Sequence, residues 1–184
     1  GIVQTFAVLP NGKILVGGAF DRFTPPLSST ITQNGLMRLN ADGTKDTSFN
    51  IGQGFNGPAS TVKYISLQPD GKILVGGNIN QFNSSFIYNL IRLNTNGTKD
   101  TSFDIGTGFN DSAEAIVLQP DGKIVVGGAF TSYKGNFQNR LIRLNTDGSK
   151  DSSFNISQGF GGIVFAITLQ ADNKILVGGI FTGY

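Results

Sequence analysis

The sequence has no cysteine, no histidine and no tryptophan, and its only glutamate is Glu114. The missing cysteine excludes a disulfide scaffold, thiolate metal sites and a thiol nucleophile. Without histidine, the most common general base and metal ligand are gone as well. An acid pair of the glycosidase type would have to come from Asp. Most Asp residues fall in repeated turns, and only Asp21, Asp104 and Asp111 stand outside the pattern. The chain therefore reads as a non-enzyme without a cofactor, with a glycosidase as the remote alternative. No apolar run approaches the roughly 18 residues of a membrane span, and the first residues lack the charged and apolar regions of a signal peptide. The 14 basic and 12 acidic side chains are spread along the chain, so no basic tract marks a nucleic-acid or anionic-membrane partner.

What is abundant is glycine, 26 of 184 residues, in a chain that is 39% hydrophobic and 14% charged. That balance suits one globular domain with a real core. The glycines sit in a repeat. Asn11-Gly12-Lys13-Ile14-Leu15-Val16-Gly17-Gly18 returns with small changes around Lys72, Lys123 and Lys174, at steps of 59, 51 and 51 residues. A second block follows the first three copies: Leu36-Met37-Arg38-Leu39-Asn40-Ala41-Asp42-Gly43 and its counterparts from Leu90 and Leu141. Each ends in Asp-Ser/Thr-Ser-Phe, at Asp46, Asp100 and Asp151, and then Gly-Phe. A repeat of this length must be read as one supersecondary unit. We place the units at about 1–59, 60–112 and 113–162, with a partial unit at 163–184, in a single domain 1–184.

Within a unit, residues 62–67 and 72–77 are β-rich runs separated by Pro-Asp-Gly, which predicts a tight hairpin. Residues 90–94 predict a third strand, and the Asn-Gly or Asp-Gly after it turns the chain toward a fourth near 103–109. Helical periodicity is missing. The run Ile73-Leu74-Val75 is apolar on both faces, as expected for a sheet covered on both sides. The fold expected is all-β: a β-propeller-type array of four-stranded antiparallel blades, about three and a half repeats long. The Gly-Gly pairs are expected to allow close backbone approach.

The pattern L-Q-P-D-G-K-I-L-V-G-G, then L-I-R-L-N-x-D-G-S/T-x-D-x-S-F, resembles the delta-sixty repeat, a β-propeller-like family of bacterial secreted or surface proteins and phage-associated proteins. The resemblance covers nearly the whole chain. It implies a propeller fold, a non-enzymatic role in adhesion or assembly, as in an adhesin or tail fibre, and an extracellular, cell-surface or virion setting. Three units and half of a fourth are too few for a closed ring. The open blade edge is therefore expected to be covered by more of the same chain or by further copies or protein partners.

The Asn-x-Asp-Gly segments look like part of a calcium loop, but Arg38, Arg92 and Arg143 stand where its first carboxylate would be. We expect these arginines to pair with Asp46, Asp100 and Asp151 as part of the repeated scaffold. The Gly-Gly steps lack the helix and Gly-Lys-Ser/Thr of a phosphate loop. The sequons at Asn83, Asn96, Asn110 and Asn155 are expected by chance in a chain rich in Asn, Ser and Thr. If the repeat is scaffold, specificity belongs where the copies differ. The loops between second and third strands hold Arg22, Phe23, Pro25 and Pro26 in copy one, Asn80, Gln81, Phe82, Phe86 and Tyr88 in copy two, and Tyr133, Lys134, Phe137 and Gln138 in copy three. Aromatics beside amides and charges suit stacking on a glycan or docking on a protein. Phe23, Phe82 and Tyr133 fall at equivalent places, which equally suits core packing.

Overall fold

The computed structural model describes residues 1–24 and 29–183. Its strands follow the repeat. The first blade contains β1 (Ile2–Val8), β2 (Ile14–Ala19), β3 (Arg22–Phe23), β4 (Ile31–Thr32) and β5 (Leu36–Leu39). The second contains β6 (Thr61–Leu67), β7 (Ile73–Asn78), β8 (Gln81–Phe82), β9 (Ser85–Phe86) and β10 (Leu90–Leu93). The third contains β11 (Ala113–Leu118), β12 (Ile124–Gly128), β13 (Ser132–Tyr133), β14 (Asn136–Phe137) and β15 (Leu141–Leu144). Then come β16 (Val164–Leu169) and β17 (Ile175–Gly179).

In each of the first three blades the first, second and third long strands form an antiparallel sheet, ordered β1-β2-β5, β6-β7-β10 and β11-β12-β15. The hairpin turns are those the residues predict. Gly12, Gly71 and Gly122 take positive φ of 79°, 81° and 82°, and Asn173 does the same job at 63° in the fourth copy. Asn11, Asp70, Asp121 and Asp172 each accept the amide two residues on.

The expected fourth strand does not form among the described residues. The chain leaves the third strand through the single bridges Leu39↔Lys45, Leu93↔Lys99 and Leu144↔Lys150. It is then drawn into a turn, because the Asp46 carboxylate accepts the Ser48 amide at 3.0 Å, as Asp100 and Asp151 accept those of Ser102 and Ser153.

Blades stack through their first strands. β6 packs on β1 and β2, β11 on β6 and β7, and β16 on β11 and β12. Three apolar clusters fill the spaces between successive blades. The Ile-Leu-Val run is buried on both faces as predicted: Ile73 and Val75 face the first blade, and Leu74 the third.

The two glycines of each pair serve different contacts. A Cβ on the first would strike the next blade: 2.6 Å from Val62 at Gly17, 2.8 Å from Ile116 at Gly76, and into Val164 at Gly127. A Cβ on the second would run into a carbonyl of the paired first strand, that of Ile2 at Gly18, Thr61 at Gly77 and Ser112 at Gly128. There every first strand carries a register shift, for example between Val62 and Tyr64.

Candidate functional site

Two side-chain systems stand out, one repeated and internal, the other outward and variable. The internal one joins blades. Arg38 Nε donates to Asp46 Oδ2 at 2.6 Å, and Arg92 and Arg143 donate to Asp100 and Asp151 at 2.7 Å each. Each guanidinium also lies over a ring of its own unit, Phe49, Phe103 or Phe154, at 4.6–4.7 Å. Lys13, Lys72 and Lys123 add a second cation to each carboxylate, at 2.8, 3.0 and 2.9 Å. Burial of Asp46 and Asp100 is the largest single influence on their titration and opposes ionisation. It is outweighed by hydrogen bonds from Lys13, Ser48 and Arg38, and from Ser102, Lys72 and Arg92, so both carboxyls are held far below the usual range. Asp151 is lowered likewise, led by the Ser153 hydroxyl. The three carboxylates are filled by these partners, which leaves them no capacity for a ligand.

The irregular acids are equally committed. Asp104 Oδ1 accepts the Gly106 amide at 2.8 Å, Asp111 Oδ1 the Ser112 amide at 2.7 Å, and Glu114 the Lys63 ammonium at 2.6 Å. Asp21 lies 3.5 Å from Arg22 on the surface. Among the described residues, no three of these side chains converge on a point that would hold a metal ion.

The outward system is a series of small hairpins on the third-strand side of each blade. In β8–β9 the turn is Asn83-Ser84, at φ 51° and 62°, and in β13–β14 it is Lys134-Gly135, at φ 51° and 75°. Positive φ at both central residues is the tight turn that suits strand twist, and it makes two-residue strands possible. The tips are tied to the loop of the preceding unit. Asn83 Oδ1 accepts the Gly54 amide at 3.0 Å, Asn56 bonds Ser84 at 3.0 and 3.1 Å, and Lys134 Nζ reaches the Asp104 carbonyl at 3.1 Å.

Pairing of Gln81 with Phe86 and of Phe82 with Ser85 sends alternate side chains to opposite faces. Phe82 and Tyr133 turn inward and are buried, against Phe55 at 5.2 Å and Phe109 at 4.8 Å. The Tyr133 hydroxyl donates to the Gly148 carbonyl. Gln138 is buried too, its amide donating to the Leu141 carbonyl at 2.6 Å. These three are therefore corrected from ligand-facing to scaffold, and Phe23 is half-buried. Phe86 and Phe137, by contrast, are 72% and 64% exposed at equivalent positions of adjacent blades. Phe86 shares a shallow depression with Tyr88 and Lys99, and Phe137 one with Lys134 and Lys150. The first blade has exposed Thr32 at this place, paired with exposed Arg22. Asn80 is exposed and Gln81 half-buried beside Phe86. Pro25 and Pro26 lie outside the described residues. Sequence reasoning missed Lys99 and Lys150, although their step of 51 residues is the signal that aligns them with Phe86 and Phe137.

A family model described as a domain of unknown function (DUF5122), β-propeller, matches residues 9–49, 68–103, 119–154 and 170–184. No curated protein matches the chain. Among solved structures, the WD40 β-propeller domain of Doa1 superposes with a TM-score of 0.63 at 14% identity, over 96% of this chain and 47% of that one. At that identity the likeness carries the fold alone, and the chain spans about half the length of that propeller. The extracellular domain of a one-component system from B. thetaiotaomicron aligns at 16% identity over 97% of this chain and 32% of its own, but its TM-score of 0.35 supports no argument.

Proposed function

The chain belongs to the DUF5122 β-propeller family, and from that premise we propose that it is a non-catalytic recognition module binding a glycan or protein surface through the outer hairpins of neighbouring blades. The observation that carries this reading is the repeated exposure of Phe86 and Phe137, each beside a lysine, on hairpins whose other aromatics, Phe82 and Tyr133, are buried. A ring face with nearby ammonium and amide groups orients a sugar or an acidic loop, and two such places on one rigid array allow two-point binding. An extracellular, cell-surface or virion role of the adhesin or tail-fibre kind, and membership of the delta-sixty group in particular, rest on the motif resemblance.

The test is a titration of the chain against a glycan panel and against candidate surface proteins, followed by Phe86→Ala and Phe137→Ala. Each substitution should weaken binding by about tenfold, the usual scale for an aromatic anchor. Binding that survives the double variant would overturn the reading. A second reading, an assembly domain joining subunits, is favoured by the outer face of β1. There Val3, Phe6 and Val8 are exposed, in register with the Val62, Ile65 and Leu67 that pack β6 on the first blade. Concentration-dependent association abolished by Phe6→Ser would support that role instead.

A further inference from the structure

Three blades show how a third strand seats on a second. Ile14 faces Leu39, Leu15 faces Arg38, Val16 faces Met37 and Gly17 faces Leu36, and the same register holds for β7 with β10 and β12 with β15. Two longer bonds accompany it. The arginine of the preceding blade donates to the carbonyl of the residue after the strand's Asn, Arg38 Nη1 to Thr95 at 2.8 Å and Arg92 Nη1 to Thr146 at 2.6 Å. The lysine that opens the second strand reaches the Asp of the turn that follows.

At β17 the same elements face an open groove of about 700 Å³. Among the described residues β17 pairs with β16 alone. Leu141, Ile156 and Val177 supply an apolar lining. Leu176 is 51% exposed, while its counterparts Leu15, Leu74 and Val125 are fully buried. Arg143 Nη1 has Gln119 Oε1 at 3.4 Å where Arg38 and Arg92 have a carbonyl. Lys174 turns to its own neighbour Asp172, at 2.8 Å and largely exposed.

We propose that the β17 edge is a strand-docking site whose occupant is an extended peptide with this repeat's third-strand sequence, Leu-Ile-Arg-Leu-Asn-Thr-Asp-Gly-Ser-Lys-Asp-Ser-Ser-Phe, as at residues 141–154. Strand addition at a sheet edge takes affinity from main-chain bonds and specificity from alternate side-chain pockets. The register follows from the other blades. Peptide residues 4, 3, 2 and 1 face Ile175, Leu176, Val177 and Gly178. The carbonyl of peptide residue 6 accepts from Arg143 Nη1, and the carboxylate of peptide residue 11 takes Lys174 from Asp172.

The experiment is fluorescence anisotropy of that labelled 14-residue peptide titrated with the 184-residue chain, with amide exchange on the chain as a second readout. Saturable one-to-one binding is expected, with slowed exchange within Ile175–Gly179. Two N-methylated peptides locate the pairing, one modified at residues 1 and 3, the other at residues 2 and 4. Because amides alternate in direction along a strand, one set should lose affinity by about tenfold or more while the other changes little. Leu176→Arg, which alters an exposed side chain and sets a like charge opposite the arginine at peptide residue 3, should weaken binding by about tenfold or more without lowering the Tm. No binding, equal effects of both N-methylated peptides, or protection at β1 instead of β17 would each overturn the proposal.

Discussion

Arg92 donates from Nη1 to the carbonyl oxygen of Thr146 in the next blade at 2.6 Å, while its Nε holds Asp100 of its own blade at 2.7 Å. One side chain thus ties the turn after a third strand to the neighbouring blade. With its side chain 7% exposed, it has exchanged nearly all of its water for these partners. Removing one member of a buried pair strands the other. Arg92→Met should therefore cost about 3 kcal/mol or more in urea denaturation. Arg143→Met should cost at least ~1 kcal/mol less, because that arginine is 19% exposed and lacks the carbonyl partner. Equal losses would show that the bond between blades contributes nothing.

The three carboxylates in these clusters set the acid limit of the fold. Asp46, Asp100 and Asp151 all have pKa values below that of an unfolded carboxylate. The unfolded chain therefore binds protons first. Their stabilisation is fully present above the unfolded value of about 3.9 and is lost as pH falls below it toward the folded values. With no histidine in the chain, no side chain of ordinary pKa titrates between about pH 5 and 8. Tm should be flat across that range and fall steeply below about pH 4. Asp100→Asn should lower the neutral Tm and shallow the acid slope. A wild-type Tm unchanged down to about pH 2 would contradict the linkage.

Much of this was legible in the sequence, for physical reasons. Turn residues such as Gly71 and the doubly apolar run at Ile73 carry local constraints, and repetition made each visible several times. The fourth strand was not legible, because apolar residues around Phe103 and Phe109 suit a strand as well as a turn. The deciding event is the Asp100 carboxylate capturing the Ser102 amide. The hairpin aromatics were half legible. Composition marks the loop, but a two-residue strand has no periodicity to say whether Phe82 or Phe86 faces inward. The pairing of Phe82 with Ser85 puts the two rings on opposite faces, and the packing of Phe82 on Phe55 makes its face the inward one.

That inward-outward division predicts opposite mutational costs for similar rings. Phe109 is 1% exposed, with Phe130 at 4.4 Å and Tyr133 at 4.8 Å. Phe109→Ala should cost about 3–5 kcal/mol. Phe86→Ala and Phe137→Ala should each stay within about 0.5 kcal/mol, since their rings are mostly in water. Thermal denaturation of the three variants checks this. A large loss at Phe86 would mean that the exposed ring serves the fold, and would remove the main support for a recognition surface there.

The Gly-Gly pairs offer the sharpest contrast, because the same substitution meets different neighbours in different copies. A Cβ at Gly76 would lie 2.8 Å from Ile116 Cδ1 and 3.4 Å from the Ala113 Cβ, inside the packing of the second and third blades. The Ile116 side chain is fully buried and can yield only by disturbing that core. Gly76→Ala should therefore cost about 1–3 kcal/mol. The equivalent Gly178 has only the Ala166 Cβ, at 3.8 Å, so Gly178→Ala should be neutral or stabilising by up to about 1 kcal/mol through reduced freedom of the unfolded chain. The second glycines should behave otherwise. Gly128 and Gly179 each abut a carbonyl of the paired first strand, that of Ser112 or Ile163, so Ala should be costly at both whether or not a blade lies behind. Chemical denaturation of these four variants separates the two roles. If Gly178→Ala proves as damaging as Gly76→Ala, blade stacking is not what the first glycine serves.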